Sequence, residues 1–179
     1  MKSYVTPGLL SVLALSGLTV TGCVASISGA AGPTIDTGGH PGGEGRLEVL
    51  AGVGSPKARV YAAAAVGGGY SSQREAGYGF VSPELGFDFG DSPRGSVGVY
   101  YEPRFYAVDR DITQHSVGVA GQVLVPVGER GGEHSTIALG PRLSTEAQFD
   151  SSGDAQGSFG LGLVVRWIAF DSTHNTWGF

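Results

Sequence analysis

The chain has 179 residues, of which 32 are glycine, 41% hydrophobic and only 15% charged, which suits one domain and leaves little for a second. Glycine at this level without a Gly-X-Y repeat, beside plentiful branched and aromatic residues, excludes both a collagen helix and a disordered chain. The net charge of −5 argues against a nucleic-acid-binding protein, whose phosphate-contacting face needs clustered cations.

The chain opens with a positive charge at Lys2 and an apolar stretch over 8–20 containing Leu9, Leu10, Val12, Leu13, Leu15 and Leu18. About a dozen residues are too few for a spanning helix, which needs roughly 20, so residues 1–22 read as a signal peptide. The stretch closes on Val20-Thr21-Gly22-Cys23. This resembles the lipobox of bacterial lipoproteins: an aliphatic residue, two small residues and a cysteine that becomes the acylated N-terminus. The resemblance implies lipidation of Cys23 with palmitate-type chains. Val24, in place of the Asp that tends to retain such proteins at the inner membrane, implies an outer-membrane destination in a Gram-negative bacterium. Cys23 is the only cysteine, so no disulfide can form within the chain. Several acyl chains, at ~0.8 kcal/mol per buried methylene, anchor a protein without any spanning helix.

Residues 23–44 read as the lipidated Cys and a flexible Gly/Pro-rich tether. The segment 32–45, GPTIDTGGHPGGEG, has no periodicity and many turn formers. A weak strand over 24–31 is the alternative.

From 45 to 179 the pattern has period two. Seven strands are expected, at 46–53, 58–70, 78–89, 96–108, 115–127, 134–149 and 158–170, separated by short turn-rich breaks. Strand follows strand with no helical period between them. The predicted fold is all-β, an antiparallel up-and-down β-barrel of eight strands over 45–179. The eighth strand lies either at 173–179, which the tether reading prefers, or at 24–31.

Sorting each strand by parity separates two faces. One carries Leu47, Val49, Val60, Val66, Val81, Leu85, Phe87, Val97, Val99, Val117, Val119, Leu143, Leu161 and Leu163 among others, and no charge. The other carries Arg46, Glu48, Arg59, Glu84, Asp88, Glu102, Arg104, Arg142, Glu146 and Arg166, surrounded by small residues such as Gly52, Ala63, Gly86, Gly118 and Gly140.

Period two alone does not say which face points inward. A water-facing surface would carry many long charges including Lys, yet after the signal segment the only lysine is Lys57, in a turn. A narrow eight-stranded lumen needs small residues plus a few long ones that pair with each other. Five Arg against five acids meet that need, because an unpaired buried charge costs several kcal/mol. The charged face is therefore expected inside and the apolar face against lipid. Tyr70, Phe87, Phe89, Phe149, Phe159 and Trp167 stand near run ends like interfacial girdles, with Tyr101 and Phe105 nearer the middle.

Pro83, Pro103, Pro126 and Pro141 each remove a ladder donor, which suits bulges or edges. Pro126 falls on the charged-face parity and suggests a register shift after Gln122. With its Arg/Glu lumen, short loops and terminal Trp177-Gly178-Phe179, the chain resembles the small outer-membrane barrels of Gram-negative bacteria, the OmpA-type membrane domain and its OmpX-like relatives. That resemblance implies insertion through the outer-membrane assembly machinery.

Little in the chain points to catalysis. His40, His115, His134 and His174 show no metal-ligand spacing. His115-Ser116 and His134-Ser135 place acid–base partner and hydroxyl on adjacent strand positions, which face opposite ways. Gly67-Gly68-Gly69 precedes no helix and is no phosphate loop. The sequence thus supports a lipid-anchored outer-membrane barrel with a structural or surface-interaction role, needing no cofactor and contacting membrane lipid through Cys23 and the barrel exterior. The alternatives are a periplasmic lipid-anchored barrel that buries its apolar face around a hydrophobic ligand, and a lipid-modifying enzyme. Oligomeric state has no signature in the chain.

Overall fold

The computed structural model describes residues 22–55, 57–90, 93–107, 113–127, 136–150 and 153–171. Eight strands follow in chain order: β1 (Cys23–Asp36), β2 (Pro41–Ser55), β3 (Ala58–Ser71), β4 (Ala76–Phe89), β5 (Arg94–Tyr106), β6 (Thr113–Pro126), β7 (Thr136–Phe149) and β8 (Ala155–Asp171). Each pairs antiparallel with its neighbour in sequence, and β8 pairs with β1, closing the barrel. Closure leaves no unpaired edge to aggregate.

Paired residues can be followed once around the wall, from Ser26 through Leu50, Ala63, Glu84, Tyr100, Gly118, Glu146 and Ser158 to Asp36. The path returns to β1 ten residues beyond its start, so strands in this eight-stranded barrel tilt by about 40°. Even the 13-residue β5 then rises about 33 Å along the axis, enough to cross a hydrocarbon layer.

Cys23 and Asp171, where β1 begins and β8 finishes, mark the terminal end of the barrel, and tight turns set the register at the opposite end. Asp36 accepts from the His40 N–H through its side chain (2.8 Å) and from Gly39 N–H through its carbonyl (3.0 Å). Asp150 does the same for Asp154 N–H (3.2 Å) and Gly153 N–H (3.1 Å). Both turns place a left-handed glycine fourth, Gly39 at φ 83° and Gly153 at φ 85°, where a Cβ would be strained. In the 72–75 turn the equivalent position holds Glu75 at φ 50°.

The predicted tether does not exist as such. Residues 23–36 form β1, residues 41–44 begin β2, and the eighth strand is therefore N-terminal. The segment has weak local propensity, but β1 gains backbone hydrogen bonds on both sides, along 13 paired positions with β2 and 11 with β8. Its glycines suit a crowded wall: a Cβ on Gly32 would run into the Leu161 carbonyl. The alternative eighth strand at 173–179, the Trp177-Gly178-Phe179 terminus and residues 1–21 lie outside the described residues.

Pro83, Pro103 and Pro141 fall where the ladder is interrupted, but they make neither the bulges nor the edges expected of them. Pairing is interrupted between Phe80↔Arg104 and Glu84↔Tyr100, the interval holding Pro83 and Pro103, and between Gln122↔Arg142 and Val125↔Leu139, opposite Pro141. Register is the same on both sides of each gap, so the shift expected after Gln122 does not occur; Pro126 sits at the exposed end of β6. Among the described residues, a register shift lies between β1 and β8, at Ala25/Ser26.

Candidate functional site

The barrel is inside-out relative to a water-soluble protein. Leu47, Val49, Leu85, Val99, Val117, Leu143, Leu161 and Leu163 are exposed, as are Tyr70, Phe105, Phe149 and Phe159 toward one end and Phe87, Phe89 and Trp167 toward the other. Phe105, expected nearer the middle, is the last outward side chain of β5 and belongs with the aromatic ring at that end. The ten charges assigned to the opposite parity are all buried: Arg46, Glu48, Arg59, Glu84, Asp88, Glu102, Arg104, Arg142, Glu146 and Arg166. Among the described residues the apolar parity faces outward and the charged parity inward, which corrects the alternative of a barrel that buries its apolar face.

Inside, the charges fall into linked groups. Toward the end away from the termini, Arg104 contacts Glu146 (2.6 Å), Glu102 (2.8 Å) and Glu44 (3.2 Å). Its guanidinium also lies 4.7 Å from the centre of the Tyr78 ring. In the middle, Glu84 accepts from Arg142 (3.0 Å) and from the Tyr61 hydroxyl (2.7 Å), with Arg46 at 3.8 Å. Toward the termini, Arg166 stands 3.5 Å from Glu48 and 3.8 Å from Asp88. Glu48 also accepts from Ser28 (3.1 Å) and lies 3.9 Å from Arg46, joining the lower and middle groups.

The sequence reading missed several lumen residues. Tyr78 donates to Glu44 (3.0 Å), Tyr100 to Glu146 (3.1 Å) and Tyr106 to Gln114 (2.7 Å). Glu44, in the expected tether, is half-buried beside Arg104, and Arg94, in an expected turn, is buried. Parity would have found them: Tyr61 keeps step with Arg59, Tyr100 with Glu102, Gln148 with Glu146, and Arg94 with Ser96. Nor is the lumen lined only by small residues between its charges. Its rings lie over wall glycines, Tyr61 over Gly86, Phe80 over Gly67 and Tyr100 over Gly118, where a Cβ would strike the ring. Part of the unusual glycine content is space for these aromatics.

His115 and Ser116 do face opposite ways: His115 is exposed and bonded to the outward Tyr101 hydroxyl (2.6 Å), whereas Ser116 is buried. His40 lies in the 37–40 turn, its Nδ1 2.9 Å from Asp36. His134, His174 and Ser135 lie outside the described residues. Among the described residues, no three or more His, Cys, Asp or Glu side chains are grouped to hold a metal ion.

The end away from the termini opens into a polar mouth lined by Asp36, Tyr70, Arg74, Tyr106, Gln114 and Gln148. Arg74 lies across it, 4.9 Å from the Tyr106 ring centre and 3.9 Å from Asp150. Below the mouth, the described lumen holds the bonded groups around Arg104, Glu84 and Arg166, the side-chain filling an eight-stranded barrel calls for.

No family model and no curated protein matches this sequence. Among solved structures, the crystal structure of Neisserial surface protein A (NspA) is similar at 15% identity and a TM-score of 0.49, covering 84% of this chain and 97% of that one.

Proposed function

We propose that this chain is a lipid-anchored outer-membrane β-barrel of a Gram-negative bacterium, with a structural or surface-interaction role and no catalytic one. The observation that carries this is the inverted polarity: an uninterrupted apolar exterior between two aromatic rings, over a lumen of bonded charges. Such an exterior is costly in water and favourable in hydrocarbon, while the strands exceed the roughly 9–11 residues needed to cross at a tilt. The buried Arg/Glu set serves as the polar core that holds the wall open without conducting.

Lipidation of Cys23 rests on the Val20-Thr21-Gly22-Cys23 motif. It is compatible with the exposed position of Cys23 at the first residue of β1, from which acyl chains would enter the leaflet beside the barrel wall. Because no tether intervenes, anchor and barrel would share one membrane, and the turns at 37–40, 72–75 and 150–154 would form the opposite, outward-facing end available to partners. The assembly machinery of the outer membrane is the expected route of insertion.

Fractionation separates the two parts of this proposal. Labelling with a fatty-acid analogue should mark the wild type and not Cys23→Ala. Cys23→Ala should nevertheless stay in the membrane through carbonate extraction and keep a heat-sensitive gel mobility. Release of Cys23→Ala into the soluble fraction would end the spanning-barrel proposal; absence of label on the wild type would end the anchor.

A further inference from the structure

The outward wall carries a polar pair that takes no part in the lumen network. The Tyr101 hydroxyl lies 2.6 Å from His115 Nδ1, and the two rings stack, with centroids 5.9 Å apart and planes 11° from parallel. Both side chains are exposed on the apolar face of the barrel. Their surroundings are apolar as well: Val117 pairs with Tyr101, and His115 is flanked by Pro103 on β5 and by Phe149 on β7. Phe149 belongs to the aromatic ring opposite the terminal end, and Tyr101 stands four residues inside Phe105 of the same ring. The pair therefore sits at the inner margin of that ring.

From this pair we propose that the wall at β5 and β6 is a docking point for a phosphorylated membrane lipid, whose phosphate accepts from His115 Nε2; the inference rests on the membrane-spanning reading. Nδ1 is committed to Tyr101, and among the described residues Nε2 has no protein partner. The proton count fixes what Nε2 can do. In the neutral ring the Tyr101 hydroxyl donates to Nδ1 and Nε2 carries the hydrogen; in the imidazolium Nδ1–H donates to the hydroxyl oxygen and Nε2–H is again a donor. The other neutral tautomer would turn the phenol hydrogen toward hydrocarbon with no acceptor. Tyr101 thus keeps Nε2 a donor in both charge states, and the stacked ring restrains where it points. A donor without an acceptor is costly among acyl chains. Beside Phe149 a bilayer offers ester and headgroup oxygens, and the phosphate is the strongest acceptor among them because it is charged. Charge selects in the same direction, since an anionic oxygen favours the imidazolium and the imidazolium favours the anion. Val117 and Phe149 are placed to receive the acyl chains of the same lipid, which belongs to the leaflet remote from Cys23.

The test places the full-length barrel, isotope-labelled at its histidine nitrogens, in phosphatidylglycerol vesicles and measures by solid-state NMR how far lipid phosphorus dephases each nitrogen. One nitrogen should lie within about 4 Å of phosphorus, the span of an N–H···O–P contact, and His115→Phe should remove that signal. Tyr101→Phe, which keeps the ring and loses the hydroxyl, should weaken it about twofold, because Nε2 is then free to turn away. In native mass spectrometry from detergent, His115→Phe should raise the Kd for added phosphatidylglycerol about tenfold, as expected for the loss of one hydrogen bond to a charged group. A control separates the site from the membrane reading: in the vesicles the Val117 and Val119 methyls should take up magnetisation from the lipid acyl chains. Acyl contact at those valines with no phosphorus near His115 would refute the lipid site and leave the spanning barrel standing. Loss of both would end the spanning barrel and the site with it. An unchanged phosphorus signal in Tyr101→Phe, or an equal Kd in His115→Phe, would also overturn the assignment.

Discussion

Leu85→Arg asks what medium the barrel exterior meets. Leu85 is 63% exposed on β4, paired with the outward Ala62 on β3 and Val99 on β5, and four residues from Phe89 at the terminal end. So open a side chain has little packing to lose. If water surrounded it, exchange for arginine would change stability by no more than about 0.5 kcal/mol, and would improve solubility. In a bilayer the same guanidinium enters hydrocarbon inside the aromatic rings, at a cost of about 2–4 kcal/mol. Phe89→Arg, at the end of the same strand, provides the depth control: there the guanidinium reaches the interface and the expected cost is about 0–1 kcal/mol. The measurement is reversible urea unfolding of the barrel refolded into phospholipid vesicles, followed by gel mobility and tryptophan fluorescence. A Leu85→Arg cost under 0.5 kcal/mol, or one no larger than that of Phe89→Arg, would show that the outward valines and leucines do not face lipid.

The interior makes its own predictions. Arg104→Met strips the cation from Glu44, Glu102 and Glu146 and should cost about 3–5 kcal/mol in the same assay; combined with Glu146→Gln, the double variant should be less destabilised than the two single losses added, by at least about 1 kcal/mol, because the partners are in contact. Gly118→Ala pushes the Tyr100 ring off the wall and away from Glu146, for a loss of about 1–3 kcal/mol. Gly121→Ala, outward with nothing nearer than 3.7 Å to its added Cβ, should cost much less. Glu75→Gly should stabilise the barrel by about 1 kcal/mol by relieving the left-handed backbone of the 72–75 turn, and no gain on urea unfolding would mean that the turn bears no strain.

Much of this molecule is legible in its sequence because a barrel wall is a local rule repeated. Each strand alternates between two media, so parity alone separated Leu47 and Val49 from Arg46 and Glu48, and the mixture of Arg with Glu and the lack of Lys indicated which set lies inside. Seven strands followed from that alternation and from the turn residues between them. The eighth was another matter. The 23–36 segment is poor in strand-forming residues and broken by Gly32-Pro33, and it is a strand only because β2 and β8 each present an edge that its backbone completes. Closure also brought Glu44 and Arg94 into the lumen and set the charge pairs that cross between strands, beside the same-strand contacts Arg104–Glu102 and Arg46–Glu48. Arg104 meets Glu146, 42 residues away, and Glu44, 60 residues away, through a tilt and stagger that belong to the whole ring of strands and to no segment of it.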